Sequence, residues 1–319
     1  MKALYGARLV RYELLWPIYS SAREVTRWTR ACDKRLHRLM CYIHHTPDHS
    51  LESFVGDRVE HCHPFLFSDA DYAGDLVTAK STSGLYLAIV GLNTFAPITA
   101  SCKKQTCVSH SSTESEIVAA EQAIRTEGLQ ALAFWELATE LLRTDRPDEK
   151  VETQSAIPNA MELDPYSERY DPGKFFAYTR KKNHTTVLVI AEDNEAVIKI
   201  IAKARSMALR HLPRTHRIDV HWLFEVCSHP RVLMRYCNTK QQIADLMTKA
   251  LNNPATWEHL LDIAQIRGGI TSEKATSQVL PAAILLTTPP GLTLRISDVE
   301  CPGCGFRSNT QGQCPCAWS

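Results

Sequence analysis

Residues 65–75, Phe-Leu-Phe-Ser-Asp-Ala-Asp-Tyr-Ala-Gly-Asp, constrain the fold more than any other stretch of the chain. An apolar run at 65–67 is the length of a buried strand, and it delivers Asp69 and Asp71 at its end, just before Gly74 breaks the pattern. Carboxylates at a strand end are where hard cations are held. Alternate strand residues point to one face, so Asp69 and Asp71 either share that face or are split by the turn that begins here. Two turn-forming aspartates in a loop are the competing reading, because Asp is a favoured turn residue. The rest of the chain weighs between the two.

The chain has 319 residues, enough for one sizeable domain with appendages or for two small ones, and its 44% hydrophobic and 22% charged content is that of an ordinary globular protein. A net charge of +1 announces no partner, so any nucleic-acid surface has to be a local patch. Eleven cysteines, an odd number, follow no basic-then-apolar leader, so reduced thiols in a cytoplasmic or nuclear setting are expected. No apolar run approaches the ~18 residues of a membrane span, which points away from a membrane partner.

Residues 20–44 read as one amphipathic helix. Val25, Trp28, Cys32, Leu36, Leu39 and Ile43 form its apolar stripe, and Arg23, Arg27, Arg30, Lys34 and Arg38 a basic one that suits either solvent or a phosphate backbone. A polar connector follows over 46–63. Three strands then come in succession, around 65–67, 85–90 and 95–100, joined by short turns as in an antiparallel meander. A long helix starts after Ser111-Ser112-Thr113, with Glu114 and Glu116 in its first turn. Thr113 and Glu116 have capping-box spacing, so capping competes with metal ligation as the role of Glu116. Residues 143–186 hold four prolines and little apolar period, and read as an insertion. A β-branched strand over 185–191 delivers Glu192, Asp193 and Asn194 to a strand-to-helix turn, where a helix cap is the competing role. The segment 199–217 is the more basic of the two patches. A strand over 231–237 and a helix capped by Thr239 and Gln242, with Asp245 one turn in, follow. From 253 the chain reads as an irregular tail, with a strand candidate at 280–287 and a cluster of Cys301, Cys304, Cys314 and Cys316. That cluster is half a zinc signature with a cramped return, or a fortuitous extension.

Together the acids make a constellation: Asp69 ends the first strand, Glu116 heads the long helix, Asp193 follows the fourth strand and Asp245 lies in the last helix. The element order predicts a mixed α/β domain around one sheet. Four carboxylates at one end of that sheet suit two Mg²⁺ ions ~3.5–4 Å apart that assist an in-line phosphodiester displacement.

The stretches SDADYAGD (68–75), KSTSG (80–84), SCKKQ (101–105), SSTESEIVAA (111–120), EDNEAV (192–197), RTHRID (214–219) and QIADLMTKAL (242–251) occur in an order that resembles the ribonuclease H region of copia-type retrotransposon Pol polyproteins, over roughly residues 20–252. Residues 27–51 look like the end of the reverse transcriptase that precedes it. The resemblance implies a ribonuclease H-like fold with a central mixed five-stranded sheet flanked by helices, spanning 60–252 with the insertion at 143–186, after a reverse-transcriptase remnant over 1–55. It implies an endonuclease that hydrolyses the RNA strand of RNA/DNA hybrids with two Mg²⁺, Mn²⁺ substituting, and no small-molecule cofactor. It places the metal ligands at Asp69, Glu116, Asp193 and Asp245, makes Asp71 a neighbour rather than a ligand, and suggests hybrid contacts by Lys80, Ser81, Lys103, Lys104 and His216. Polymerase, protease and integrase motifs are absent, as in a detached fragment. Two alternative readings follow other features: the basic stretches 23–38 and 199–217 suit a non-catalytic nucleic-acid-binding relic, and a truncated polymerase helix with an odd tail suits an unexpressed pseudogene product whose solubility improves on trimming to about 55–255.

Overall fold

A computed structural model describes residues 2–142 and 186–268. The insertion at 143–186, except its last residue, the strand candidate at 280–287 and the cysteine cluster at 301–316 lie outside the described residues. In chain order come α1 (Lys2–Leu9), α2 (Leu15–Arg23), α3 (Arg30–His45), β1 (His49–Leu51), β2 (Phe54–Val55), β3 (His63–Asp71), β4 (Thr82–Gly91), β5 (Thr94–Lys104), α4 (Ser112–Ala123) and α5 (Leu129–Leu142). After the gap come β6 (Leu188–Glu192), α6 (Glu195–Ala202), α7 (Leu212–Thr215), α8 (Val220–Ser228), β7 (Val232–Tyr236), α9 (Pro254–Ile263) and β8 (Ile266–Gly268).

The fold is a mixed α/β sheet flanked by helices. Its strand order is β2-β5-β4-β3-β6-β7; β5, β4 and β3 run as the expected antiparallel meander, while β6 and β7 add in parallel to β3. The sequence predicts five strands, and the two-residue β2, paired antiparallel to the start of β5, makes a sixth. Every residue of β4 is buried, as a central strand covered on both faces requires. At the β4–β5 register shift Ile98 is the extra residue, and its carbonyl accepts from Tyr12 Oη at 3.0 Å.

Each face of the sheet has its own core. Leu66, Leu85, Leu87, Leu188 and Ile190 pack under α4, α5, α6 and α8 through Ile117, Leu132, Ile201 and Leu223. Phe65, Phe67, Tyr86, Ala88 and Val90 pack instead under Ala7, Tyr12, Leu14 and Leu15 from the N-terminal segment, Ile243 to Met247, and Leu260 and Ile263 of α9. The segment assigned on sequence to a remnant over 1–55 thus supplies part of the second layer of this core. Tyr12 meets Tyr86 edge-to-face at 5.9 Å, and Tyr86 Oη donates to the Ala264 carbonyl at 2.7 Å, so one buried tyrosine ties the N-terminal and C-terminal coverings to the central strand.

Three local expectations are corrected. The helix over 20–44 is two helices broken by a 3-10 turn at Val25–Arg27, with Thr29 in extended conformation before α3; Val25 and Trp28, on the expected apolar stripe, are exposed. The helix after Thr239 is a pair of 3-10 turns, Thr239–Gln241 and Ile243–Met247, capped by Asn238. The chain from 253 is not irregular at once: Pro at N1 and an Asn253 cap start α9, and β8 returns antiparallel to β1. No helix among the described residues is long and apolar enough to cross a membrane.

Candidate metal centre

Asp69 shares the face of β3 that carries Phe65 and Phe67, and its cross-strand partner is Gly84. A Cβ at residue 84 would lie 2.5 Å from Thr248 Cγ2 and 2.9 Å from both the Ala244 carbonyl oxygen and Met247 Cβ. Only glycine there lets the Ile243–Met247 turn lie flat on β4 beside Asp69. Gln242 anchors the same turn by donating Nε2 to the Ser68 carbonyl at 2.9 Å. These two contacts bring Asp245 and Thr248 to Asp69: Thr248 Oγ1 donates to Asp69 Oδ2, and Lys249 Nζ sits 2.7 Å from Asp245 Oδ1 and 3.8 Å from Asp69 Oδ2. Gly84→Ala is therefore expected to cost about 1–3 kcal/mol of stability and to move Asp245 away from Asp69. Thermal unfolding measures the first effect, and loss of a metal-induced stabilisation the second.

Glu116 arrives from the opposite face of the sheet. The helix cap that competed for it is made by other residues: Ser111 Oγ accepts from the Glu114 N–H, and Glu114 Oε2 accepts from the His110 N–H at 2.9 Å. Capping is thus complete two residues earlier than the Thr113–Glu116 spacing suggests. Glu116 is left to reach over the end of β3, where it accepts the Ala70 N–H at 2.9 Å. Gln105 steadies this helix start by donating to Ser83 Oγ and the Ser115 carbonyl at 3.0 and 2.9 Å. After β6 the same division occurs. Asn194 caps α6 by accepting from the Ala196 N–H, so Asp193 is free to face Asp69.

Carboxylate oxygens of Asp69, Glu116 and Asp193 all lie within 4.8 Å of one another, a buried, all-oxygen set able to hold a metal ion. Asp245 lies beside this triad, held by Lys249. Burial pushes the Glu116 carboxyl well above the usual range, and the charges of Asp69 and Asp193 push it further. Asp193 and Asp245 rise for the same reasons, burial first and Asp69 second. Burial works against the ammonium of Lys249, but Asp69 and Asp245 outweigh it and raise its pKa. Glu192 is a fifth acid. It is fully buried, accepts from Asn194 N–H at 3.2 Å and Ser68 Oγ at 3.4 Å, and is raised far above the ordinary range by burial and then by Glu116.

These shifts set a testable sign. Without metal, the folded chain keeps protons on Glu116, Asp193 and Asp245 that the unfolded chain releases above about pH 4. Stability therefore falls as pH rises from there, and a bound cation that displaces those protons restores it. The thermal midpoint gained on adding Mg²⁺ is expected to grow from pH 6 to pH 8.5; an equal gain at both, or none, contradicts the assignment.

Ser81 is fully buried and accepts from the Ala73 N–H at 3.1 Å, so it shapes the loop after β3 rather than facing a ligand. Lys104 Nζ pairs with Asp75 and Lys80 Nζ donates to the Thr106 carbonyl, whereas Lys103 is exposed on the end of β5. His216, its side chain 1% exposed, lies 3.2 Å from Glu114 Oε1, and His211 lies 3.0 Å from the same oxygen, so both imidazoles bear on the cap of α4. Asp71 accepts from the Thr82 N–H and stands outside the triad; burial raises its pKa to about 6. Lys249, Thr248, Gln105 and Glu192 take part without having been nominated on sequence, and Gln242, which has the spacing of a helix cap, anchors the turn instead. Of these only Glu192 carries a plain signal, since it abuts Asp193. No family model matches this sequence, and neither the curated proteins nor the solved structures contain a match to it.

Proposed function

We propose that the chain is a metal-dependent endonuclease of the ribonuclease H type that hydrolyses the RNA strand of RNA/DNA hybrids, and that it derives from the Pol polyprotein of a copia-type retrotransposon. The observation that carries this reading is the convergence of Asp69, Glu116 and Asp193, from three separate elements, on one ion-sized space with Asp245 beside it. An antiparallel meander continued by two parallel strands, with helices on both faces, agrees with the mixed sheet that the ribonuclease H resemblance implies.

The donor set fits Mg²⁺: carboxylate oxygens only, with no sulfur or imidazole among them. Two such ions would supply the water activation and leaving-group stabilisation of an in-line phosphodiester displacement. The protein's own part is positional. Thr248 fixes one oxygen of Asp69, the Ala70 N–H fixes Glu116, and Asn194 keeps the turn after β6 open for Asp193. Lys249 neutralises Asp69 and Asp245 when no cation is bound, and it is the group that must yield as one enters. Lys103, with Lys80 and Lys104 near it, stands at the same strand ends and suits the phosphate backbone of a hybrid. RNA is told from DNA by 2′-hydroxyl contacts.

The test is cleavage of a 5′-labelled RNA strand annealed to DNA, with Mg²⁺ and with EDTA. Cleavage that requires metal supports the reading; an intact hybrid after exposure to folded protein and Mg²⁺ or Mn²⁺ overturns it. A second reading, nucleic-acid binding without catalysis, rests on the exposed cations of the 23–38 and 199–217 segments, such as Arg27, Arg38, Arg214 and Arg217. It predicts hybrid binding that persists in EDTA and is indifferent to Asp69→Asn.

A further inference from the structure

The loop between β3 and β4 leaves the sheet two residues after Asp69, and its surface is the reverse of what a soluble loop usually shows. Leu76 is 98% exposed and Val77 68%, with Tyr72 half exposed beside them. Large apolar side chains displayed on a mobile loop would be unremarkable as single residues. This loop is instead fixed from within. Asp75 accepts from the Val77 and Thr78 N–H groups at 3.0 and 3.1 Å and is clamped by Lys104, while its own backbone bonds Lys80 and Ala79. Lys104 holds the Asp75 carboxyl well below the usual carboxylate range.

The brace is costly. Ala73 and Ala79 both adopt the left-handed conformation, at φ 53° and 52°, where an alanine is disfavoured by roughly 1–2 kcal/mol. Gly74 closes the base of the loop, since a Cβ there would lie 1.7 Å from Asp71 Oδ2. Backbone strain kept around a rigid, solvent-facing apolar tip points to a surface that is used. Its neighbours indicate for what. The metal centre lies at the start of the loop, Lys80 ends it and the exposed Lys103 stands on the adjacent strand, so a ligand that spans the tip and the centre meets cations that suit a phosphate backbone.

We infer that Leu76 and Val77 form a fixed apolar wedge that seats against the sugars and base edges of a nucleic-acid duplex whose phosphates are held by the neighbouring lysines. The inference rests on the nucleic-acid reading of the metal centre and adds to it the residues that set duplex position. A-form geometry presents a wide, shallow minor groove to such a tip. An apolar contact contributes affinity without releasing counterions, and this separates it from the lysine contacts.

The test compares the parent with Leu76→Ser/Val77→Ser and with Lys103→Ala. Fluorescence anisotropy of a labelled RNA/DNA hybrid is read in Ca²⁺ across a salt series, with thermal midpoints and sedimentation alongside. The double variant removes only exposed apolar groups, so its thermal midpoint is expected to stay unchanged. Its affinity should fall about tenfold at every salt concentration, with an unaltered slope of log affinity against log salt. Lys103→Ala should instead reduce that slope by about one. Equal affinity of parent and double variant overturns the wedge while leaving the nuclease reading standing. So does a change confined to self-association, which would assign the tip to a second copy of the chain. A parent that neither binds nor cleaves the hybrid overturns the nuclease reading and the wedge with it.

Discussion

Asp69→Asn is expected to reduce metal-dependent hybrid cleavage by about a hundredfold or more while raising the thermal midpoint of the metal-free protein at pH 8. The two effects share one cause. Asp69 is the leading neighbouring charge that raises Asp193 and Asp245, and also the leading one on Glu116, so its carboxylate is the hub of the repulsion in the empty centre. An amide keeps the shape and can still accept the Thr248 hydroxyl, but it removes the charge that a cation needs and that the neighbouring acids oppose. A residue kept for packing would lose stability on this change; a residue kept for metal would gain it. Activity from labelled hybrid and thermal unfolding with and without Mg²⁺ read the two effects separately. A variant that is both less stable without metal and still stabilised by Mg²⁺ would show that Asp69 chiefly holds Thr248 and Lys249 in place.

Much of this centre was legible in the sequence because its elements are strong and local. The apolar run before Asp69, the β-branched strand before Asp193 and the stripe through Ile117 and Ile124 each specify an element and its end. What was ambiguous was which of two adjacent polar residues does which task. Thr113–Glu116 and Ser111–Glu114 both have capping spacing, and only the register of the first helical turn assigns the cap to the second pair. Asp193 and Asn194 posed the same choice, resolved by the Asn194 side chain reaching the Ala196 N–H.

Other features depend on distant chain and leave no local trace. Gly84 falls in sequence at the turn before the 85–90 strand, and its function as a landing site for residues 244–248 exists only once a segment far along the chain has returned to β4. Gln242 has the capping-box spacing from Thr239, yet its amide donates to the Ser68 carbonyl across the sheet, and without that cap the segment tightens into 3-10 turns. The break between α2 and α3 has a similar origin. Cys32 alone of the expected stripe is fully buried there, with its thiol 2.9 Å from Glu24, and an unbroken helix would carry Val25 and Trp28 no closer to a core that lies elsewhere.

The N-terminal segment is where sequence and structure part most widely, and it carries the second large prediction. On sequence, trimming to about 55–255 is expected to improve a fragment burdened by a foreign helix. In the structure Ala7, Tyr12, Leu14 and Leu15 are each no more than 5% exposed, and they cover Phe65, Phe67 and Tyr86 on the face of β3 and β4 that also bears Asp69. Fully burying a Leu or Tyr side chain contributes about 1.5–3 kcal/mol, so three of them are worth on the order of 5 kcal/mol before the aromatic rings they uncover are counted. That is comparable to the whole stability of an ordinary domain, which is about 5–15 kcal/mol. Arg11 adds a polar tie, donating to the Thr46 carbonyl and hydroxyl at 2.9 Å each, so α3 is held through the same segment. Deletion of residues 2–23 is therefore expected to give a chain that unfolds at or below room temperature, binds hydrophobic dyes and loses the Mg²⁺-induced stabilisation. Circular dichroism melting and dye fluorescence of the full and shortened chains measure this. A shortened chain that melts cooperatively within a few degrees of the full one would show that the sheet face is covered from another source. Should the prediction hold, the helices before the sheet are a structural layer of the metal-bearing domain, and any active fragment has to begin ahead of Tyr12.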